Sequence, residues 1–181
     1  MIFFFIYIRM AKYIYDIDLT LYSNDDYNDN DSDNDDKFYE SFKPKNTLRK
    51  LLLSNKGTKY LLTNANMEHS EEVLERLNLK DVFEDIITAY DVKKFKPAPD
   101  IYHVAKSEFE IKDTDDVYYF EDLKENLKGS KKVYDWKTVL IDPEHDISKE
   151  SYIDYTFKTI EDAMLFFNMN EKKRKNLKRK I

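Results

Sequence analysis

The sequence predicts an α/β fold in three layers, a parallel sheet with helices on both faces. Short β-branched or aromatic runs alternate along the chain with apolar patterns of helical period, the signature of strands joined by helical crossovers. A length of 181 residues suits one domain with one sizeable core. The balance of 41% hydrophobic with 36% charged residues marks a soluble globular chain, not a disordered or membrane-embedded one.

The elements follow in order. Strands are expected at Lys12–Tyr15, Lys59–Leu62, Ile86–Thr88, Val117–Phe120 and Lys137–Ile141, with a short sixth near Tyr155–Phe157. Between the first two, Asn46–Ser54 sets Leu48, Leu51 and Leu52 on one helical face, and Gly57 permits the turn into the next strand. Glu68–Leu77 repeats the pattern with Val73, Leu74 and Leu77. Pro97 and Pro99 suit the opening of a helix whose Ile101, Val104 and Ala105 face inward, because proline's missing donor is harmless there. Ile160, Ala163, Met164 and Phe167 form the last apolar stripe.

Around residues 12–170 lie two different ends. Residues 1–11 read as an extension: the opening MIFFFIYI is too short to span a bilayer and lacks the basic flank of a signal, and Met10 offers an alternative start. Residues 171–181 hold seven of the 30 basic side chains and one of the 36 acidic ones, so the rest of the chain carries a formal charge of −12. That segment reads as a solvated tail. Its basic run also offers a nuclear-targeting or nucleic-acid contact, the latter not favoured because the acidic body repels polyphosphates at long range. Within the body, the segment 23–36 (SNDDYNDNDSDNDD) is an Asp/Asn run of low complexity, expected as a solvated loop. The expected location is intracellular, the cytoplasm favoured, with no membrane association.

Composition also limits the chemistry. Without cysteine there are no disulfides, thiolate metal sites or thiol nucleophiles, and two glycines cannot build a glycine-rich phosphate cradle. Carboxylates, hydroxyls and lysines remain. In open parallel sheets ligands bind outside the carboxyl ends of the strands, so the residues just after each strand are the candidates. After the first come Asp16 and Asp18, spaced to share a pocket; like charges so close call for a cation or for a division of acid and base roles. After the second come Thr63 and Asn64, a hydroxyl and an amide suited to an anionic oxygen. Lys96 precedes the proline-opened helix, and Glu121–Asp122 follow the fourth strand. None of His69, His103 and His145 has a partner at metal-ligand spacing, and all three are expected at the surface or its boundary.

These segments, in this order, resemble the four motifs of the haloacid dehalogenase superfamily of phosphohydrolases: YIYDIDLTLY, YLLTNA, KPAPDIY and VYYFEDLKEN, over residues 12–168. DIDLTLY and LLTNA look most like the pyrimidine 5′-nucleotidase branch. The resemblance implies a Rossmann-like core and a magnesium-dependent phosphomonoesterase, with a nucleoside 5′-monophosphate or another small phosphorylated molecule as substrate. Asp16 would be the nucleophile and Asp18 the acid and base. Thr63, Asn64 and Lys96 would hold the phosphate. Asp16, Asp18 through its backbone carbonyl, Glu121 and Asp122 would bind Mg2+. Phe95 and Leu123-Lys124 depart from the small residues often found beside these motifs. Only 44 residues separate Asp18 from Thr63, too few apolar ones among them for the helical cap usual in that branch, so little or no cap is expected. The alternatives are a phosphatase of nucleic-acid ends or proteins working through an open site, and a non-catalytic module retaining the pocket.

Overall fold

The computed structural model describes residues 11–26, 35–144 and 150–178. Six strands, β1 (Ala11–Tyr15), β2 (Thr58–Thr63), β3 (Asp85–Thr88), β4 (Asp116–Glu121), β5 (Lys137–Ile141) and β6 (Tyr155–Phe157), form one sheet ordered β3-β2-β1-β4-β5-β6. Every neighbouring pair is parallel. Each strand lies within one residue of its expected bounds. The described helices are α1 (Asp35–Ser41), α2 (Asn46–Ser54), α3 (Met67–Arg76), α4 (Ala89–Val92), α5 (Pro99–Glu108), α6 (Lys124–Tyr134) and α7 (Ile160–Lys178).

Side chains alternating along the strands build two cores, one on each face of the sheet. Tyr13, Tyr15, Leu61, Tyr118, Phe120, Val139 and Ile141 face one side, covered by Leu48 and Leu52 of α2, Val73 and Leu74 of α3 and the α7 stripe Ile160, Ala163, Met164 and Phe167. Ile14, Tyr60, Leu62, Val117, Tyr119 and Leu140 face the other, covered by Ile101, Tyr102 and Ala105 of α5 and Leu127 of α6. Trp136 is buried there too. These are the three layers expected.

Several expectations need correction. No glycine adopts a positive φ. Gly57 is instead required by close approach: a Cβ there would lie 2.2 Å from Cε2 of Tyr13 and 2.5 Å from the carbonyl oxygen of Ala11. The left-handed positions after α4 and α6 fall to Lys93 and Asp135. The acidic segment is structured where it is described: Asn24–Asp26 form a 3-10 turn, and α1 begins at Asp35. Asp26 meets the Lys45 ammonium at 3.0 Å. In the basic segment, α7 continues as helix to Lys178. The extension to residue 10, most of the Asp/Asn run and His145 lie outside the described residues.

Among the described residues, no helix is long and apolar enough to cross a membrane.

Candidate active site

The chain winds outward from β1 through β2 to β3, then returns to place β4 on the other side of β1. Such a reversal opens a crevice at the carboxyl edge of the sheet, where neighbouring connections diverge. The pairing continues one residue beyond β1, where the Asp16 N–H donates to the Phe120 carbonyl at 2.9 Å, and this sets Asp16 beside Glu121. The chain then turns sharply: the N–H groups of Thr20 and Leu21 both donate to the Ile17 carbonyl, and Leu19 takes φ 56°.

Lys96 is buried at the centre. Its Nζ donates to Asp16 Oδ1 at 2.7 Å, to Glu121 Oε1 at 2.7 Å and to the Leu62 carbonyl at 2.9 Å, which uses all three ammonium protons. Asn64 holds this lysine by its backbone: the Lys96 N–H donates to Asn64 Oδ1 at 2.8 Å, and Asn64 Nδ2 donates to the Lys96 carbonyl at 3.2 Å. The Asn64 side chain is thus engaged with Lys96, leaving Thr63 as the hydroxyl of this segment. Buried Thr63 accepts the Ala65 N–H at 3.0 Å, and no acceptor among the described residues takes its own proton.

Glu121 is fully buried and heavily subscribed. Its Oε1 also accepts from Tyr119 and Asn126, and its Oε2 accepts the Leu123 N–H at 2.8 Å. Asp16 Oδ2 takes no hydrogen bond from the described residues, and Asp122 receives one long contact, from Thr20 Oγ1 at 3.4 Å. Asp16, Glu121 and Asp122 bring carboxylate oxygens within 4.8 Å of one another, and this set is all-oxygen, anionic and incompletely satisfied. A hard divalent cation fits such donors. The charge state agrees. Burial pushes Asp16 up to about 7 against the pull of Lys96, with Glu121 adding to the rise. Burial, then Glu121 and Asp16, pushes Asp122 up to about 8. Burial would draw the Lys96 ammonium down, but Asp16 and Glu121 together hold its pKa above the usual lysine value.

Asp18 belongs to a separate constellation. Its Oδ1 accepts from Tyr22 at 2.7 Å and meets His69 Nε2 at 2.8 Å. Burial raises its pKa, yet the bonds from His69 and Tyr22 outweigh this and hold it below the ordinary carboxylate value. His69 is therefore no bland boundary residue. Metal-ligand spacing could not reveal it; its place in the first turn of α3 could. A helix entered from a parallel strand starts at the carboxyl edge, so a side chain three positions after the N-cap Asn66 is delivered to the crevice. His103 meets Tyr134 on the outer side of α5 and plays no part.

The site is thus an acidic crevice at the winding reversal of a parallel α/β sheet, with a lysine clamped between carboxylates. The chain belongs to the haloacid dehalogenase-like hydrolases, whose family model matches residues 17–133. Among solved structures, it is similar to the HAD-hydrolase YfnB of Bacillus subtilis, bound to magnesium (TM-score 0.66, 12% identity, 88% of this chain and 99% of that one). It is also similar to the L-2-haloacid dehalogenase of Xanthobacter autotrophicus (TM-score 0.65, 12% identity, 86% and 97%). A dehalogenase with an intermediate complex matches at TM-score 0.61 and 20% identity over 74% of this chain, which spans 62% of that neighbour's length. These likenesses establish the fold. No curated protein matches in sequence.

Proposed function

We propose that this chain is a magnesium-dependent phosphomonoesterase that works through an aspartyl phosphate on Asp16, with nucleoside 5′-monophosphates the first substrates to try. The observation that carries the reading is Asp18. Displacing a halide needs no proton donor, because halide leaves as a stable anion; displacing an alkoxide from phosphorus does. A second, hydrogen-bonded carboxylate two residues beyond a buried nucleophile is therefore superfluous for dehalogenation and useful for an ester.

Oδ2 of Asp16 attacks phosphorus while the ester P–O bond breaks and Asp18 gives its proton to the departing oxygen. Water then attacks the same phosphorus, Asp18 takes its proton, and the Asp16–phosphorus bond breaks to release inorganic phosphate. Lys96 orients Asp16 and offsets charge near the transferring group, and the Thr63 hydroxyl donates to a phosphoryl oxygen. Mg2+ held by Asp16, Asp122, the Asp18 carbonyl and the remaining lone pair of Glu121 Oε2 would supply positive charge to that group. We assign Asn64 to holding Lys96 through its side chain, which leaves its backbone amide for the phosphate.

The mouth of the site favours an open, uncapped crevice: Leu19, Phe95 and Leu123 on its loops and Tyr90 on α4 are all exposed. Tyr90 and Phe95 meet edge to face at 5.5 Å, a surface on which a base could rest. The test is phosphate release from a panel of nucleoside monophosphates and small phosphate esters with Mg2+, by the wild type and Asp16→Asn. Release lost in the variant is expected, whereas equal rates would remove the catalytic reading. A parallel 2-chloropropionate assay should show no chloride release.

A further inference from the structure

We infer that His69 is a positioning residue: with Tyr22, and backed by Tyr39 of α1, it holds the Asp18 carboxyl by Oδ1 and so fixes the direction in which Oδ2 is presented. The inference rests on the phosphomonoesterase reading and assigns part of that site to residues outside its motifs.

Three contacts carry it. Tyr22 Oη donates to Asp18 Oδ1, and His69 Nε2 lies 2.8 Å from the same oxygen. On its far side, His69 Nδ1 lies 2.9 Å from Tyr39 Oη. A ring nitrogen facing a carboxylate must carry its hydrogen, so Nε2–H donates to Asp18, while Tyr39 Oη holds the ring from its Nδ1 side. Oδ1 then accepts two hydrogen bonds, while Oδ2 receives none among the described residues. Asp18 is therefore anchored through Oδ1, and Oδ2 is left to face an incoming ligand.

Packing holds the imidazole in this pose. The Phe38 ring lies nearly parallel to it at 6.4 Å, and the Tyr39 ring is tilted against it at 5.7 Å, both from α1. The Asn66 cap fixes the His69 backbone from the other side through a 2.8 Å bond. The helix at the end of the acidic segment thus supports the proton donor.

Leaving-group dependence tests this, measured as kcat/KM, which reports the steps through cleavage of the ester bond. 4-Nitrophenolate leaves without a proton, and the alkoxide of glycerol 2-phosphate does not. His69→Ala should lower kcat/KM on glycerol 2-phosphate by roughly 100-fold, within the range for one general acid, and on 4-nitrophenyl phosphate by less than about 3-fold. His69→Gln, which keeps an N–H near the Nε2 position, should recover most of the loss, and Tyr39→Phe should show a milder loss of the same selectivity. Equal losses on both esters, or no loss on either, would overturn the positioning role while Asp16→Asn still abolishes turnover. No turnover of either ester by the wild type would overturn the phosphomonoesterase reading and this assignment with it.

Discussion

The Asn64 side chain binds the backbone of Lys96 at both its N–H and its carbonyl, so the loop after β2 dictates where the lysine before α5 begins its reach to Asp16. Asn64→Ala should cost about 1–3 kcal/mol of stability, the scale for leaving partly buried polar groups unpaired. Under the proposed mechanism it should also lower kcat/KM on any phosphate ester by roughly 10-fold as the ammonium loses its aim. Urea unfolding and steady-state kinetics on one preparation check both.

Lys96 separates two buried carboxylates at 2.7 Å each. Replacing it with methionine keeps the stem and removes the charge, leaving Asp16 and Glu121 to repel across a dry gap. Lys96→Met should lose activity and about 3–5 kcal/mol of stability at neutral pH. Denaturant unfolding at pH 5 and pH 8 should show the smaller loss at pH 5, where Asp16, raised to about 7 by burial, holds a proton.

Asp16 titrates near 7 and Asp122 near 8 in the folded chain, both raised from 3.8. The folded state therefore binds more protons than the unfolded state between about pH 4 and pH 8, and these groups' contribution to stability falls as pH rises through that window. Without metal, Tm should decline from pH 5 toward pH 9. Mg2+ competes with protons for the same oxygens, so the Tm gained on adding it should grow with pH over that range. A metal-induced shift of equal size at pH 5 and pH 9 would contradict the assignment of these carboxylates as ligands.

Gly57 leaves no room for a methyl group, because its Cβ would fall against the Tyr13 ring and the Ala11 carbonyl. Gly57→Ala should destabilise by about 1–3 kcal/mol through overpacking, although alanine is otherwise acceptable at this φ. Thermal unfolding measures it. The proposed catalytic groups lie at the other end of the strands, so specific activity at low temperature should hold.

Much of the fold was legible because parallel strands buried on both faces are nearly continuous apolar runs. Lys137–Ile141 has the same bounds in sequence and structure, as does the helix Asn46–Ser54. What hid α6 was its polar composition: its buried side includes Asn126 and Ser130 with the single leucine Leu127. Gly129 in its middle is a point of contact rather than a break, since a Cβ there would come within 2.9 Å of Pro97 Cβ. The helix α1 follows an aspartate run whose composition alone argues against order, and Phe38 and Tyr39 anchor it by packing on the core and on His69. The groups at the strand ends could be listed from their order along the chain. The bond between His69 and Asp18 could not, because it joins positions 51 apart with no spacing rule to connect them.

The return of the chain from β3 to β4 has a consequence for synthesis. A ribosome that has released the polypeptide as far as α5 has delivered Asp16, Asp18, Thr63, His69 and Lys96, yet neither Glu121 nor Asp122. Up to that moment Lys96 has one carboxylate neighbour instead of two, and β1 shows a bare edge to solvent where β4 will dock. Until β4 docks, that edge stays open to pairing with a strand of another chain, so a polypeptide ending at α5 would be prone to association.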